Sequence, residues 1–428
     1  MSIKLKTKIP GAKSTRILDG LKKKNGGWSV PHPLVFSGRG KGAYCEDIDG
    51  NMFLDFASQV ASNPLGYNHH ELIDVVRKCK RIVPVKYAGQ DFAVEEHLEM
   101  INSVLSISPK KMNSAFLINS GAEAVENAGK ICMWKRPKSK FSVSFQGAFH
   151  GRTLGALSLH HSKPVQREGF PLLQNRELPF NDSAPDVLRD IVKKHGANAI
   201  SFVILEHLQG EGGYRIPPRK MVAEVRKICM TQGIPYVADE VQAGMGRTGK
   251  WWAFEHYGIT PDVFSSAKAL QVGAVVANRK MFPSKESVIS STWGGGHVLD
   301  MLIGMKIIEI IKRDKLLAHN TKLGKYIVKR LGEIPGISGQ RGLGLMCAFD
   351  LADSKLRDNV VIECAKNGLL VLGAGEKSIR LIPPYIVGEK EIDEAIKVIE
   401  NAVKTCTYRK FSHKGKICDF MDCARSTT

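Results

Sequence analysis

The sequence predicts an α/β protein: a large domain built on a mainly parallel sheet flanked by helices, plus a small α+β domain. Three observations carry that reading. Between about residues 110 and 280, short apolar runs alternate with helix-length stretches, the signature of a largely parallel sheet covered on both faces. Polar residues that stand out, Ser120, Glu206, Asp239 and Lys268, fall at or just beyond the ends of those runs, where such sheets collect ligands. Beyond about residue 313 the pattern changes to mixed helix and strand.

Taken in order, the expected strands are 114–118, 142–145, 200–205, 234–238, 262–265 and 274–277, with helices at 122–135, 185–195 and 220–232 between them. Leu302 to Arg313 reads as one helix, resumed from Leu316 to Leu331. Leu345–Leu351, Leu369–Leu372 and Ser378–Ile382 read as strands, with Lys355–Lys366 helical. Glu389 to Cys406 is an amphipathic helix with Ile392, Ala395, Ile396, Ile399 and Val403 on one face. The expected division is 1–65 contributing to the small lobe, 66–305 the large domain, 306–408 the C-terminal small domain and 409–428 a polar, irregular tail.

Composition narrows the class. With 428 residues, 43% hydrophobic and 24% charged, the chain has ample material for a large core. No apolar run reaches the roughly 18 residues that span a bilayer. Met1 to Lys8 is basic without an apolar stretch after it, so no secretory signal is read and the expected location is cytoplasmic. Nine cysteines are scattered without a C-x-x-C pair, which argues against a disulfide framework or a zinc site and for small buried residues in a reducing compartment. No metal is expected; the pairs His69-His70 and His160-His161 do not face one way on a helix or strand. The net charge of +20 is spread over much of the chain. It lacks an aromatic stacking pattern, so it reads as a basic surface that attracts anionic substrates rather than as a nucleic-acid site.

The chemistry rests on three segments. Asp239 ends the run Ile234-Pro-Tyr-Val-Ala-Asp239, and Lys268 follows it by 29 residues at the end of Asp262-Val-Phe-Ser-Ser-Ala-Lys268. A carboxylate and a lysine at the ends of neighbouring strands can face one small molecule. Pyridoxal phosphate needs that pair: the lysine forms its Schiff base and the carboxylate keeps the pyridine nitrogen protonated. The third segment is Phe116-Leu-Ile-Asn-Ser-Gly-Ala-Glu-Ala124, a strand running into a helix through Ser120 and Gly121. Its helix start suits a phosphate dianion, with the Ser120 hydroxyl as a further donor.

With these elements in this order, the chain resembles the class III (ω-amino acid) aminotransferases of pyridoxal-phosphate fold type I over roughly residues 30 to 405. The matching motifs are Asn119-Ser-Gly-Ala-Glu-Ala124, Ala148-Phe-His-Gly-Arg-Thr153, Glu206-His-Leu-Gln-Gly-Glu-Gly-Gly213, Asp239-Glu-Val-Gln242 and Ser266-Ala-Lys-Ala-Leu270. Ser290-Ser-Thr-Trp-Gly-Gly295, Arg341 to Phe349 and Val371 to Pro384 most resemble the lysine 6- and 4-aminobutyrate branches. Two departures pull apart on substrate: Lys268-Ala-Leu-Gln-Val-Gly273 in place of a glycine-rich stretch, and the general form of Asn119–Ala124.

The resemblance implies roles. Ser120, Gly121 and Ala122 would hold the phosphate, Phe149 would stack on the pyridine ring, Asp239 would pair with its nitrogen and Gln242 with its 3-hydroxyl. Thr292 would reach the phosphate of a neighbouring subunit, which makes the expected unit a homodimer with shared sites. Lys268 would carry the cofactor and shuttle protons. Arg380 would bind the α-carboxylate of 2-oxoglutarate, Glu211 would neutralise that arginine when an amine donor enters, and Arg152 would hold the distal carboxylate. The implied reaction is ping-pong transfer of a terminal amino group to 2-oxoglutarate. The favoured donor is 4-aminobutyrate, with lysine, ornithine and acetylornithine as alternatives. A racemase or aminomutase of the same fold stays open; it would turn over without a keto acid.

Overall fold

The computed structural model describes residues 1–26, 32–79, 91–290, 295–408 and 416–421. Contacts divide the chain into two compact units, Asp74–Leu317 and Met1–Ile73 with Ala318–Thr428.

The large unit holds a seven-stranded sheet, in the order Ser114–Ile118, Gly273–Ala277, Val263–Ser266, Tyr236–Asp239, Ile200–Leu205, Phe141–Phe145, Asn175–Leu178. The last five strands are mutually parallel. Gly273–Ala277 runs antiparallel to both its neighbours, so Ser114–Ile118 points the same way as the parallel set. Its C-terminal end therefore lies beside those of the Asp239 and Lys268 strands.

The residues explain the layers. Along Ile200–Leu205, Phe202 and Ile204 enter one buried cluster with Val125, Ala128 and Ile131 of the helix Gly121–Lys135. Val203 and Leu205 enter a second cluster with Leu188, Val222 and Val225 of the helices Ala184–His195 and Arg219–Thr231. A strand alternates its side chains between faces, and here both faces are apolar because both are covered. Each such side chain contributes about 1.5–3 kcal/mol through burial.

In the other unit, one four-stranded sheet orders Phe36–Lys41, Tyr44–Asp47, Met52–Asp55 and Leu369–Leu370; a second orders Ser338–Leu343, Met346–Asp350, Ser378–Leu381 and Leu372–Ala374. The helix Glu389–Tyr408 buries Ile392, Ala395, Ile396, Ile399 and Val403.

Several expectations change. The run Leu369–Leu372 is two strands: Leu369–Leu370 pairs parallel with Met52–Asp55, and Leu372–Ala374 pairs antiparallel with Ser378–Leu381. The boundary expected at 65 lies at 73, because Tyr67 bridges Gly42 and its hydroxyl donates to Asp55 at 2.7 Å. The boundary expected at 305 lies at 317, since the helix Val298–Arg313 packs on Glu95–Leu105 within the large unit. Within the expected irregular tail, Lys416–Phe420 is helical, with Ile417, Cys418 and Phe420 buried; residues 409–415 and 422–428 lie outside the described residues. Among the described residues no helix is long and apolar enough to cross a membrane, and no group of His, Cys, Asp and Glu could hold a metal ion.

Candidate active site

Asp239 closes its strand opposite Ser265 of the next one and is 4% exposed. The Val241 N–H donates to its Oδ1 at 3.0 Å and the Ser265 hydroxyl at 3.4 Å. His150 Nδ1 lies 2.7 Å from Oδ2, with the imidazole fully buried. Burial alone would lower the His150 pKa, yet the hydrogen bond to Asp239 and the charges of Asp239 and Glu206 leave it raised. That favours an imidazolium facing the carboxylate and keeps Asp239 oriented.

Glu206 follows the strand Ile200–Leu205. It accepts from the N–H of Phe149 at 2.9 Å and of Gly210 at 2.8 Å. Burial pushes its carboxyl up to about 7, against the opposing charge of His150. One buried carboxyl thus ties the segment carrying Phe149 to the loop carrying Glu211. The half-buried Phe149 ring meets the buried His160 edge-on, with centroids 4.8 Å apart at 69°.

Lys268 opens a short turn directly after Val263–Ser266, at φ 51°. A side chain-bearing residue in this left-handed region carries strain of about 1 kcal/mol or more, and such residues cluster at functional sites. Its carbonyl accepts from the Gln271 N–H at 2.9 Å, which holds the turn.

Ser120 caps the helix Gly121–Lys135, its hydroxyl accepting from the Glu123 N–H at 3.2 Å. The first N–H groups of a helix have no partner within it, so Gly121 and Ala122 present donors at that end. A methyl group on Gly121 would lie 2.6 Å from Val241 Cγ1 and 3.5 Å from Ala267 Cβ. The helix start therefore abuts the residue before Lys268 and the loop after Asp239. Gly151, at φ 134°, is equally confined: a methyl there would lie 2.7 Å from Ala122 Cβ. That close approach brings the exposed Arg152 to the helix start. Gln242 joins from the other side, since a methyl on Gly210 would lie 2.8 Å from its Oε1.

The structure thus gathers Ser120, Gly121, Ala122, Phe149, Arg152, Glu211, Asp239, Gln242 and Lys268 at one end of the large sheet. Arg380 belongs to the other unit, where it is buried on Ser378–Leu381 opposite Ala348 and Leu372. Thr292 lies outside the described residues. Sequence reasoning missed His150 as the partner of Asp239, although it stands two residues before Arg152 in a quoted motif. It also missed Glu240, which accepts from the N–H groups of Ala253 and Phe254 at 2.7 and 3.0 Å and whose carboxyl burial pushes up to about 8. Adjacent Asp239-Glu240 was the available signal, because neighbouring strand residues face opposite sides.

Comparison with known proteins identifies the family. The family profile described as Aminotransferase class-III matches residues 27–403. The acetylornithine aminotransferase of Archaeoglobus fulgidus is 34% identical over 369 residues, which is 85% of this chain and 94% of that protein. The mitochondrial 4-aminobutyrate aminotransferase of Sus scrofa is 29% identical, over 89% of this chain and 87% of its own. Among solved structures, the lysine aminotransferase of M. tuberculosis superimposes with a TM-score of 0.86 at 28% identity, covering 92% of this chain and all of that one. The chain belongs to the class-III aminotransferases and is a transaminase that depends on pyridoxal phosphate.

Proposed function

We infer that the enzyme is an ω-aminotransferase: it takes the terminal amino group of an ω-amino acid and passes it to 2-oxoglutarate in two half-reactions at one site. The observation that carries the reading is that the start of Gly121–Lys135 abuts Ala267, the residue before Lys268, and Val241, in the loop after Asp239.

The residues fit pyridoxal phosphate. Gln242 Oε1 is buried and has no hydrogen-bond partner among the described residues, so it is an acceptor waiting for a donor such as the ring 3-hydroxyl. Ser120 and the N–H groups of Gly121 and Ala122 suit the phosphate. Asp239, held by His150, suits a protonated ring nitrogen. Phe149 suits one face of the ring. When bound, the cofactor supplies the electron sink that lets a proton leave the carbon bearing the amine. Lys268 would carry the cofactor at rest and, when its amine is free, would move that proton as base and then acid.

Arg152 supplies an exposed guanidinium for the carboxylate far from the reacting amine. In the acceptor half, Arg380 takes the α-carboxylate of 2-oxoglutarate, and Glu211 neutralises that arginine while the donor is bound. On the family resemblance, Thr292 of a second copy completes the phosphate site, so the working unit is a homodimer.

The motifs favour 4-aminobutyrate as donor. A second reading, N-acetylornithine, is supported by relatives of that name at 34% and 33% identity against 29% for the 4-aminobutyrate enzyme. Both donors offer a terminal amine and a carboxylate within reach of one arginine. The test is absorbance of the cofactor-loaded enzyme, with each amine added in the absence of a keto acid. One donor should bleach the yellow band and 2-oxoglutarate should restore it. If no ω-amine changes the band, the substrate reading falls. Turnover of an amino acid without any keto acid would favour a racemase or aminomutase instead.

A further inference from the structure

The adjacent pair His160-His161 faces two ways. The His160 ring packs against Phe149, and its Nε2 accepts from the Lys163 N–H at 3.3 Å. The His161 ring meets the edge strand Asn175–Leu178 instead, while its backbone N–H donates to the Ala148 carbonyl at 2.8 Å. A chain of hydrogen bonds fixes the protons of that ring. The Ser142 hydroxyl donates to the Gln174 carbonyl at 3.5 Å, so its oxygen accepts from Asn175 Nδ2 at 3.0 Å. Asn175 Oδ1 then faces the Ser144 hydroxyl and His161 Nε2, each at 2.9 Å. An amide oxygen only accepts, so Nε2 donates whether the ring is neutral or charged. Nδ1 is left between two opposite neighbours, Glu177 Oε2 at 2.7 Å and Arg167 Nη1 at 3.1 Å. A neutral ring has a lone pair at Nδ1, which accepts from Arg167. A protonated ring has an N–H there, which donates to Glu177. One nitrogen cannot do both.

Arg167 belongs to a surface segment tied at its ends, by the Lys163 N–H to His160 Nε2 and by the Leu173 N–H to the Ser158 hydroxyl at 2.8 Å. Between those ends the backbone bonds run within the segment, from the N–H groups of Gln166, Arg167 and Phe170. Among the described residues, Arg167 to His161 is the one hydrogen bond from residues 164–172 to the rest of the fold. Val165 and Phe170 stand exposed. At the start of the segment, Lys163 Nζ is 3.9 Å from Glu211 Oε2. Burial lowers the His161 pKa, although the Asn175 hydrogen bond and the Glu177 charge raise it; Arg167 and His150 add to the lowering. The neighbouring His160 is pushed down to about 4, again by burial first. Near neutral pH the His161 ring is therefore uncharged and Arg167 is docked on it. We propose that His161 is a proton-operated latch: its neutral Nδ1 holds Arg167 and with it the segment 163–173 at the rim beside Glu211, and on acidification the same atom turns to Glu177 and frees the segment. The exchange takes up one proton from water and changes only hydrogen bonds.

Hydrogen exchange of the cofactor-loaded enzyme, read by mass spectrometry as protection factors, tests the latch without any substrate. Protection of residues 164–172 should fall by about 10-fold between about pH 8 and about pH 5, the lower range for a hydrogen bond to a charged group. The strand Ile200–Leu205 should stay constant. Arg167→Met should be as weakly protected in that segment at the higher pH as the parent is at the lower, with no further fall. Glu177 is 42% exposed at the sheet edge, so Glu177→Gln should fold like the parent. It removes the anion that favours the charged ring, so the midpoint of the fall should move to lower pH. Protection that does not change with pH in the parent overturns the proposal. So does a fall that persists in Arg167→Met, a midpoint that Glu177→Gln leaves in place, or an equal fall in Ile200–Leu205, which would mean general loosening.

Discussion

The floor and the rim of the site are built on different principles. On the floor, Asp239, His150 and Glu206 are buried, and each is fixed by hydrogen bonds of 2.7–3.0 Å. Asp239 ends a sheet strand and Glu206 directly follows one, where backbone pairing leaves little freedom, and His150 is held to Asp239. On the rim, Arg152 is exposed and Lys163 meets Glu211 at 3.9 Å from a half-exposed position. Charges on the floor act in a dry medium and carry large energies; charges on the rim are screened and carry small ones. The shared chemistry of a transaminase is thus placed where geometry is rigid. On the proposed roles of Arg152 and Glu211, the choice between substrates would be made where a side chain can move.

Breaking the floor should have the largest effect. Lys268→Ala should lower turnover by more than ~1000-fold, because it removes both the cofactor's anchor and the proton carrier, while circular dichroism and the melting temperature stay close to the parent's. Activity within tenfold of the parent would remove Lys268 from the chemistry. On the rim the loss should be smaller and confined to binding. Arg152→Ala should raise KM for 2-oxoglutarate and for the carboxylate-bearing donor by about 10-fold, the lower range for a charge-assisted hydrogen bond, with cofactor affinity unchanged. A fall in kcat at constant KM would instead move Arg152 to the floor.

The smallest effect sharpens the comparison from beneath the floor. Glu240 has its carboxyl pushed up to about 8 by burial, above the ordinary value it recovers on unfolding. Between those two values the folded protein holds a proton that the unfolded chain has lost, so stability falls as pH rises towards about 8. Glu240→Gln should flatten that fall. Melting temperatures measured between about pH 5 and pH 8 would show a decline of a few degrees in the parent and a shallower one in the variant. Equal slopes would mean that the folded and unfolded states hold Glu240 in the same protonation state across this range, so that burial does not push its carboxyl up.

Much of the large sheet was legible because strands covered on both faces read as apolar runs. Asn175–Leu178 was not. It is an edge strand with only Leu178 buried, so its residues Asn, Arg and Glu carry no apolar signal. The antiparallel course of Gly273–Ala277 was open to inference. Only residues 267–272 separate it from Val263–Ser266, too few for the dozen or more that a parallel crossover needs. The split of Leu369–Leu372 was not, since adjacent apolar residues do not say which sheet each will join.

By itself the sequence determined the fold class, the order of the strand ends and the residue types that make pyridoxal phosphate chemistry possible. Those are local properties: apolar runs, a helix start after Ser120, a lysine and an aspartate at strand ends. Tertiary structure alone decided which charges meet. His150 and Asp239 stand 89 residues apart in the chain and 2.7 Å apart in the fold, and Glu206 joins loops that the sequence keeps separate. Such pairs depend on strand order and on burial. Both are set only when the whole sheet closes and water leaves.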